Sequence, residues 1–105
     1  MKNSYLLHID EQTTQGIALE EISFLSSFKA NLLEDVLGEI YVVEITLSNP
    51  GDSQVAALIK IGAQPGEFTG YSVAFRWETA IAKAFECIRY HMTVTANPPV
   101  PENIN

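Results

Sequence analysis

The sequence has one cysteine, Cys87, so no intrachain disulfide can form. That excludes the disulfide-stapled secreted scaffolds, and nothing argues for export. No apolar run approaches the roughly 18 residues that a membrane-spanning helix needs. Met1–Asp10 carries one lysine and a short apolar patch ending in His8 and Asp10, which does not match a secretory signal. The expected location is therefore the cytoplasm, with no membrane partner. Basic side chains are also scarce, with 6 lysines and arginines against 13 acidic residues and a net charge of −7. A chain with that sum repels phosphate backbones at long range. Nucleic-acid binding would need a local cluster drawn from Lys2, Lys29, Lys60, Arg76, Lys83 and Arg89, and no two of these are adjacent. The charge suits a basic protein partner better. There is no internal repeat and no low-complexity segment.

At 105 residues with 47% hydrophobic residues, the chain is expected to fold as one domain with a core of its own. Ser4–Asp10 (SYLLHID) reads as an edge strand and Glu11–Gly16 as a polar loop. Ile17–Leu37 carries a first helix. Its apolar side is expected to run through Ile22, Leu25, Phe28, Leu32, Val36 and Leu37, widened by Phe24 and Leu33. Glu20 and Glu21 suit its N-terminus, where the helix dipole favours negative charge, and Gly38 its end. Three strands follow: Ile40–Ser48 (IYVVEITLS), Gln54–Ala63 (QVAALIKIGA) and Glu67–Phe75 (EFTGYSVAF). Asn49-Pro50-Gly51-Asp52 and Gln64-Pro65-Gly66 separate them with turn formers, and Gly70 suggests a bulge. Trp77, Ala80, Ile81, Ala84, Phe85, Ile88 and Met92 then mark one face of a closing helix.

The predicted class is α+β in the order β-α-β-β-β-α. Both helices should cover one face of a four-stranded, antiparallel-type sheet, on the side of Tyr41, Val43, Ile45 and Leu47. Residues 1–92 form the domain, and 93–105, ending in the proline-rich NPPVPENIN, an extended or mobile tail.

The segments Ile40–Asn49 (IYVVEITLSN) and Trp77–Tyr90 (WETAIAKAFECIRY), with the spacing between them, resemble the ribosome hibernation-promoting factor family, also called sigma-54 modulation proteins. The likeness runs from about Ser4 to Met92. It implies a sheet with two helices on one face, related to double-stranded-RNA-binding domains. It also implies a non-catalytic role in translation regulation on the small ribosomal subunit. That family contacts RNA through lysines and arginines on both helices and along the sheet. The positions that could carry such contacts here are Lys29, Lys60, Arg76, Lys83 and Arg89. Arg76 and Lys83 are seven apart and share a helical face, while Arg89 lies well around it. The alternative is an acidic protein-interaction module on the same scaffold, its partner a basic protein or a second copy of the chain.

No catalytic, metal or cofactor site is expected. His8 and His91 lack companions at metal-ligand spacing. Cys87, beside Glu86, has no basic neighbour to stabilise a thiolate and reads as a half-buried packing residue. Glu20-Glu21 and Glu34-Asp35 are adjacent pairs that splay about 100° apart on a helix and do not converge. Trp77, Tyr71, Phe75 and Tyr41 could stack on bases, but burial in the core is the favoured expectation. The lysine-bearing, glycine-rich loop that cradles phosphates is absent.

Overall fold

The computed structural model describes residues 5–14, 16–51, 53–64 and 66–96, with side chains through His91. The element order is β1 (Leu6–Glu11), α1 (Leu19–Leu37), β2 (Ile40–Ser48), β3 (Val55–Ala63), β4 (Gly66–Ala74) and α2 (Trp77–Ala96). One sheet holds the strands in the order β1-β2-β3-β4. The α+β class and the β-α-β-β-β-α order are as the sequence predicts.

The sheet is mixed, not of antiparallel type. β1 pairs with β2 in parallel, Leu7 opposite Val43 and Ile9 opposite Ile45. The cause is α1, which returns the chain to its starting edge so that the next strand runs the same way. The two turn-rich segments then give antiparallel pairs, β2 with β3 and β3 with β4. At the first of them the Gln54 N–H donates to the Gly51 carbonyl at 2.9 Å, and the Asn49 side-chain amide donates to the Gln54 carbonyl at 2.8 Å.

The inner face carries Val43, Ile45 and Leu47 from β2 with Ile59 and Ile61 from β3, all buried. α1 lies over β1 and β2, α2 lies over β3 and β4, and the two helices also contact each other. Among the described side chains of α2 the buried ones are Ala80, Ile81, Ala84, Phe85 and Ile88, with Trp77 half-buried against them, as the spacing predicts; Met92, the last residue of that expected stripe, lies outside the described side chains. α2 runs on to Ala96, past the expected limit at Met92. No helix breaker precedes Asn97, whose place before Pro98 disfavours helix. Residues 97–105, most of the expected tail, lie outside the described residues.

Three further expectations need correction. Tyr41 is exposed and not on the core face. The register slips between Ile40 and Val42, leaving Tyr41 as an extra residue, so that Ile40 is buried in its stead. Gly70 marks no bulge, because β3 and β4 pair in register through it. It is a close-approach residue instead. A Cβ there would lie 2.1 Å from the Ala84 carbonyl oxygen and 2.7 Å from Ile88 Cγ1, so only glycine lets α2 settle onto β4.

The third correction concerns α1, whose buried line is Ile22, Ser26, Ala30, Leu33 and Leu37. Phe24, Phe28, Leu32 and Val36 point away from the sheet, and Leu25 is half-buried. Ser26 and Ala30 are small, which lets the helix axis approach the sheet on that side. Bulkier Phe28 and Leu32 could not take those places.

Candidate functional site

Each cation predicted as an RNA contact has a definite place, and they fall in three regions. Lys60 stands exposed on the outer face of the sheet, opposite Glu44 on β2 and Thr69 on β4. Alternation puts His8, Glu44, Lys60 and Thr69 in one row across that face, so a carboxylate neighbours the lysine. Lys29 on α1 and Arg89 on α2 line one hollow between the helices, together with Asp35 and Glu86. Arg76 and Lys83 line another hollow, at the β4–α2 corner, with Gln54, Phe75 and Thr79. Arg76 Nη2 is 3.3 Å from Glu78 Oε2, an exposed pair of small energetic weight.

The structure thus brings together Arg76 with Lys83, and Lys29 with Arg89. It sets Lys60 apart from both. A seven-residue step on a helix nearly completes two turns and keeps the first pair on one side, whereas Arg89 is rotated away.

The aromatic residues also depart from expectation. Trp77 is half-buried, but Tyr41, Tyr71 and Phe75 are exposed. Tyr71 sits opposite Leu58 on the outward side of β4, and Phe75 follows the end of that strand. Tyr41, displaced by the bulge, donates its hydroxyl to Gln64 Oε1. Phe75, 70% exposed, stands in the Arg76–Lys83 corner, a flat ring beside two cations. Its place as the last outward residue after β4 was a signal available in the sequence, masked by reading every aromatic as core.

The remaining candidates do not converge. His8 is on β1, and His91 is near the other end of the chain with its ring 6.1 Å from that of Tyr90. Cys87 is half-buried. Among the described residues no group of three or more His, Cys, Asp or Glu side chains could hold a metal ion. Among them, too, no helix is long and apolar enough to cross a membrane.

A different feature was missed by the sequence reading. Phe24, Phe28, Leu32 and Val36 form a continuous apolar ridge on the outside of α1, exposed by 78, 54, 56 and 55%. Its two ends run into hollows shared with α2. One contains Phe24, Leu25 and Trp77 beside Glu20, Glu21 and Glu78. The other contains Leu32, Val36 and Phe85 beside Asp35 and Glu86.

No protein-family model matches this chain, and no curated protein matches its sequence. Solved structures do match. The N-terminal domain of Thermus thermophilus Protein Y superposes with a TM-score of 0.69 at 19% identity, covering 90% of this chain and 99% of that one. A ribosomal subunit interface protein from Coxiella burnetii superposes with a TM-score of 0.66 at 10% identity, covering 85% of this chain and 97% of that one. At such identities the likeness establishes the fold, and it is the fold that the sequence resemblance implies.

Proposed function

We propose that this chain is a non-catalytic, cytoplasmic factor that associates with the ribosome and restrains translation by occupying a surface of the small subunit. The observation that carries this reading is the match of fold over nearly the whole chain to a protein named for the ribosomal subunit interface. The contact to RNA falls to the corner where Phe75, Arg76 and Lys83 meet. An exposed ring can stack on an unpaired base while two cations meet neighbouring phosphates. Lys60, Lys29 and Arg89 lie elsewhere and add no continuous basic surface to this corner.

The test is co-sedimentation with small ribosomal subunits over a salt series. Binding should weaken with a shallow slope, since few phosphates are neutralised and each contributes about −0.7 to −0.9 to the log–log slope. Reversing both charges, Arg76→Glu with Lys83→Glu, should lower binding by about an order of magnitude or more, from about 1 kcal/mol for each lost charge-assisted contact. Equal sedimentation of parent and variant, or none for the parent at low salt, refutes this reading.

The exposed ridge of α1 favours a second reading, an acidic protein-interaction module that does not bind RNA. A contiguous apolar stripe left in solvent on a small monomer marks a protein-interaction surface. The net charge of −7 turns it toward a basic protein.

A further inference from the structure

We infer that the outer side of α1, with the hollow at each end of its apolar ridge, is a docking surface for a basic amphipathic helix of another protein. The inference rests on the protein-interaction reading and is independent of ribosome association.

Phe24, Phe28, Leu32 and Val36 are spaced four apart, so they form one gently winding row. At 1.5 Å per residue the row is roughly 18 Å long, about three turns of a partner helix. An amphipathic helix laid beside such a row offers apolar anchors at i, i+4 and i+7, the spacing by which such helices recognise apolar surfaces. The hollows at the two ends, floored by Trp77 and by Phe85, lie where the first and last anchors of that helix would enter.

Charge decides the class of occupant. Glu20, Glu21 and Glu78 border one end of the row, and Asp35 and Glu86 the other. Lys29 and Arg89 are the cations on this border, both at the second end. The first end is therefore wholly acidic, and it lies at the N-terminal ends of both helices. Lysines or arginines flanking the apolar side of a partner helix meet carboxylates alone at the first end, and Asp35 and Glu86 beside Lys29 and Arg89 at the second. A second copy laid parallel would bring the two wholly acidic ends together, and nucleic acid would bring phosphates against them; like-charge repulsion disfavours both. A second copy laid antiparallel would set that acidic end against the Lys29–Arg89 end, and the sedimentation test below separates it from a basic partner.

The test uses a fluorescein-labelled synthetic helix of leucine and lysine, with all leucines on one face. Anisotropy titration against the full chain should give saturable binding. The double variant Phe28→Ser with Leu32→Ser should lose at least about tenfold in affinity, as when central anchors are truncated. Both side chains are exposed, so its circular dichroism and melting point should match the parent. Tyr71→Ser, on the outer face of the sheet, should change affinity by no more than about twofold, the ordinary effect of a neutral surface substitution.

Undiminished binding by the double variant overturns the proposal. So does equal binding of a peptide with the same residues in scrambled order, which would make the attraction merely electrostatic. Saturable binding of labelled duplex RNA, without peptide, by the parent but not by the double variant overturns it in favour of nucleic acid. Sedimentation velocity showing a dimer of the parent that the double variant loses overturns it in favour of a second copy. Ribosome co-sedimentation of the double variant is read alongside, so the docking surface on α1 and the Arg76–Lys83 corner stand or fall separately.

Discussion

Replacing Gly70 with alanine should destabilise the domain, and the sign of that effect tests the packing of α2 on β4. A strand glycine with room for a side chain would behave oppositely, because Gly→Ala narrows the unfolded ensemble and stabilises by about 0.4–1 kcal/mol. Here the new Cβ would sit 2.1 Å from the Ala84 carbonyl oxygen, against about 3.4 Å for ordinary contact. The obstacle is helix backbone, so no rotamer change relieves it. α2 would have to retreat by more than an ångström, loosening the packing of Ala80, Ala84 and Ile88 on the sheet. Overpacking of this kind costs about 1–3 kcal/mol and sometimes more, and the rigid obstacle places Gly70→Ala near about 3. A domain of this size should then melt about 10 °C lower or more, at about 4–8 °C per kcal/mol. Gly62→Ala is the matched comparison. Its Cβ would meet only Val42 Cγ1, at 2.9 Å, a side chain on the outer face that can rotate. Thermal and urea unfolding of the two variants should therefore rank Gly70→Ala well below Gly62→Ala. A Gly70→Ala protein as stable as the parent, or more so, would refute the close approach.

Phe85→Ala should cost about 3–5 kcal/mol, because the ring is buried between the helices and the sheet and leaves a cavity; an unchanged urea midpoint would show the stripe of α2 to be misplaced. Ser26→Ala should raise stability by about 1 kcal/mol, since the buried hydroxyl oxygen of Ser26 has no hydrogen-bond partner and its desolvation is uncompensated. A lower melting point for that variant would show that the hydroxyl is satisfied in solution.

Sequence by itself determined the identity and order of the elements. Proline and glycine at the two tight turns fix where strands end, and that effect is local to the chain. α2 was legible to the residue from Ala80 to Ile88, because it has a single apolar arc with charges on the rest. α1 was not, because it has two arcs, and periodicity scores Phe28 and Leu32 as highly as Ile22 and Leu33. Tertiary structure chose between them by size. The sheet needs the small Ser26 and Ala30 at the contact, and the larger side chains were turned outward to become the ridge. The parallel pairing of β1, the bulge at Tyr41 and the close approach at Gly70 likewise depend on neighbours distant in sequence. The cations follow the same rule. Their number was plain from the sequence, and the helical spacing of Arg76, Lys83 and Arg89 could be read from it. Their division among the outer sheet face, the interhelical hollow and the β4–α2 corner arises because Lys29 and Lys60 belong to elements placed by packing alone.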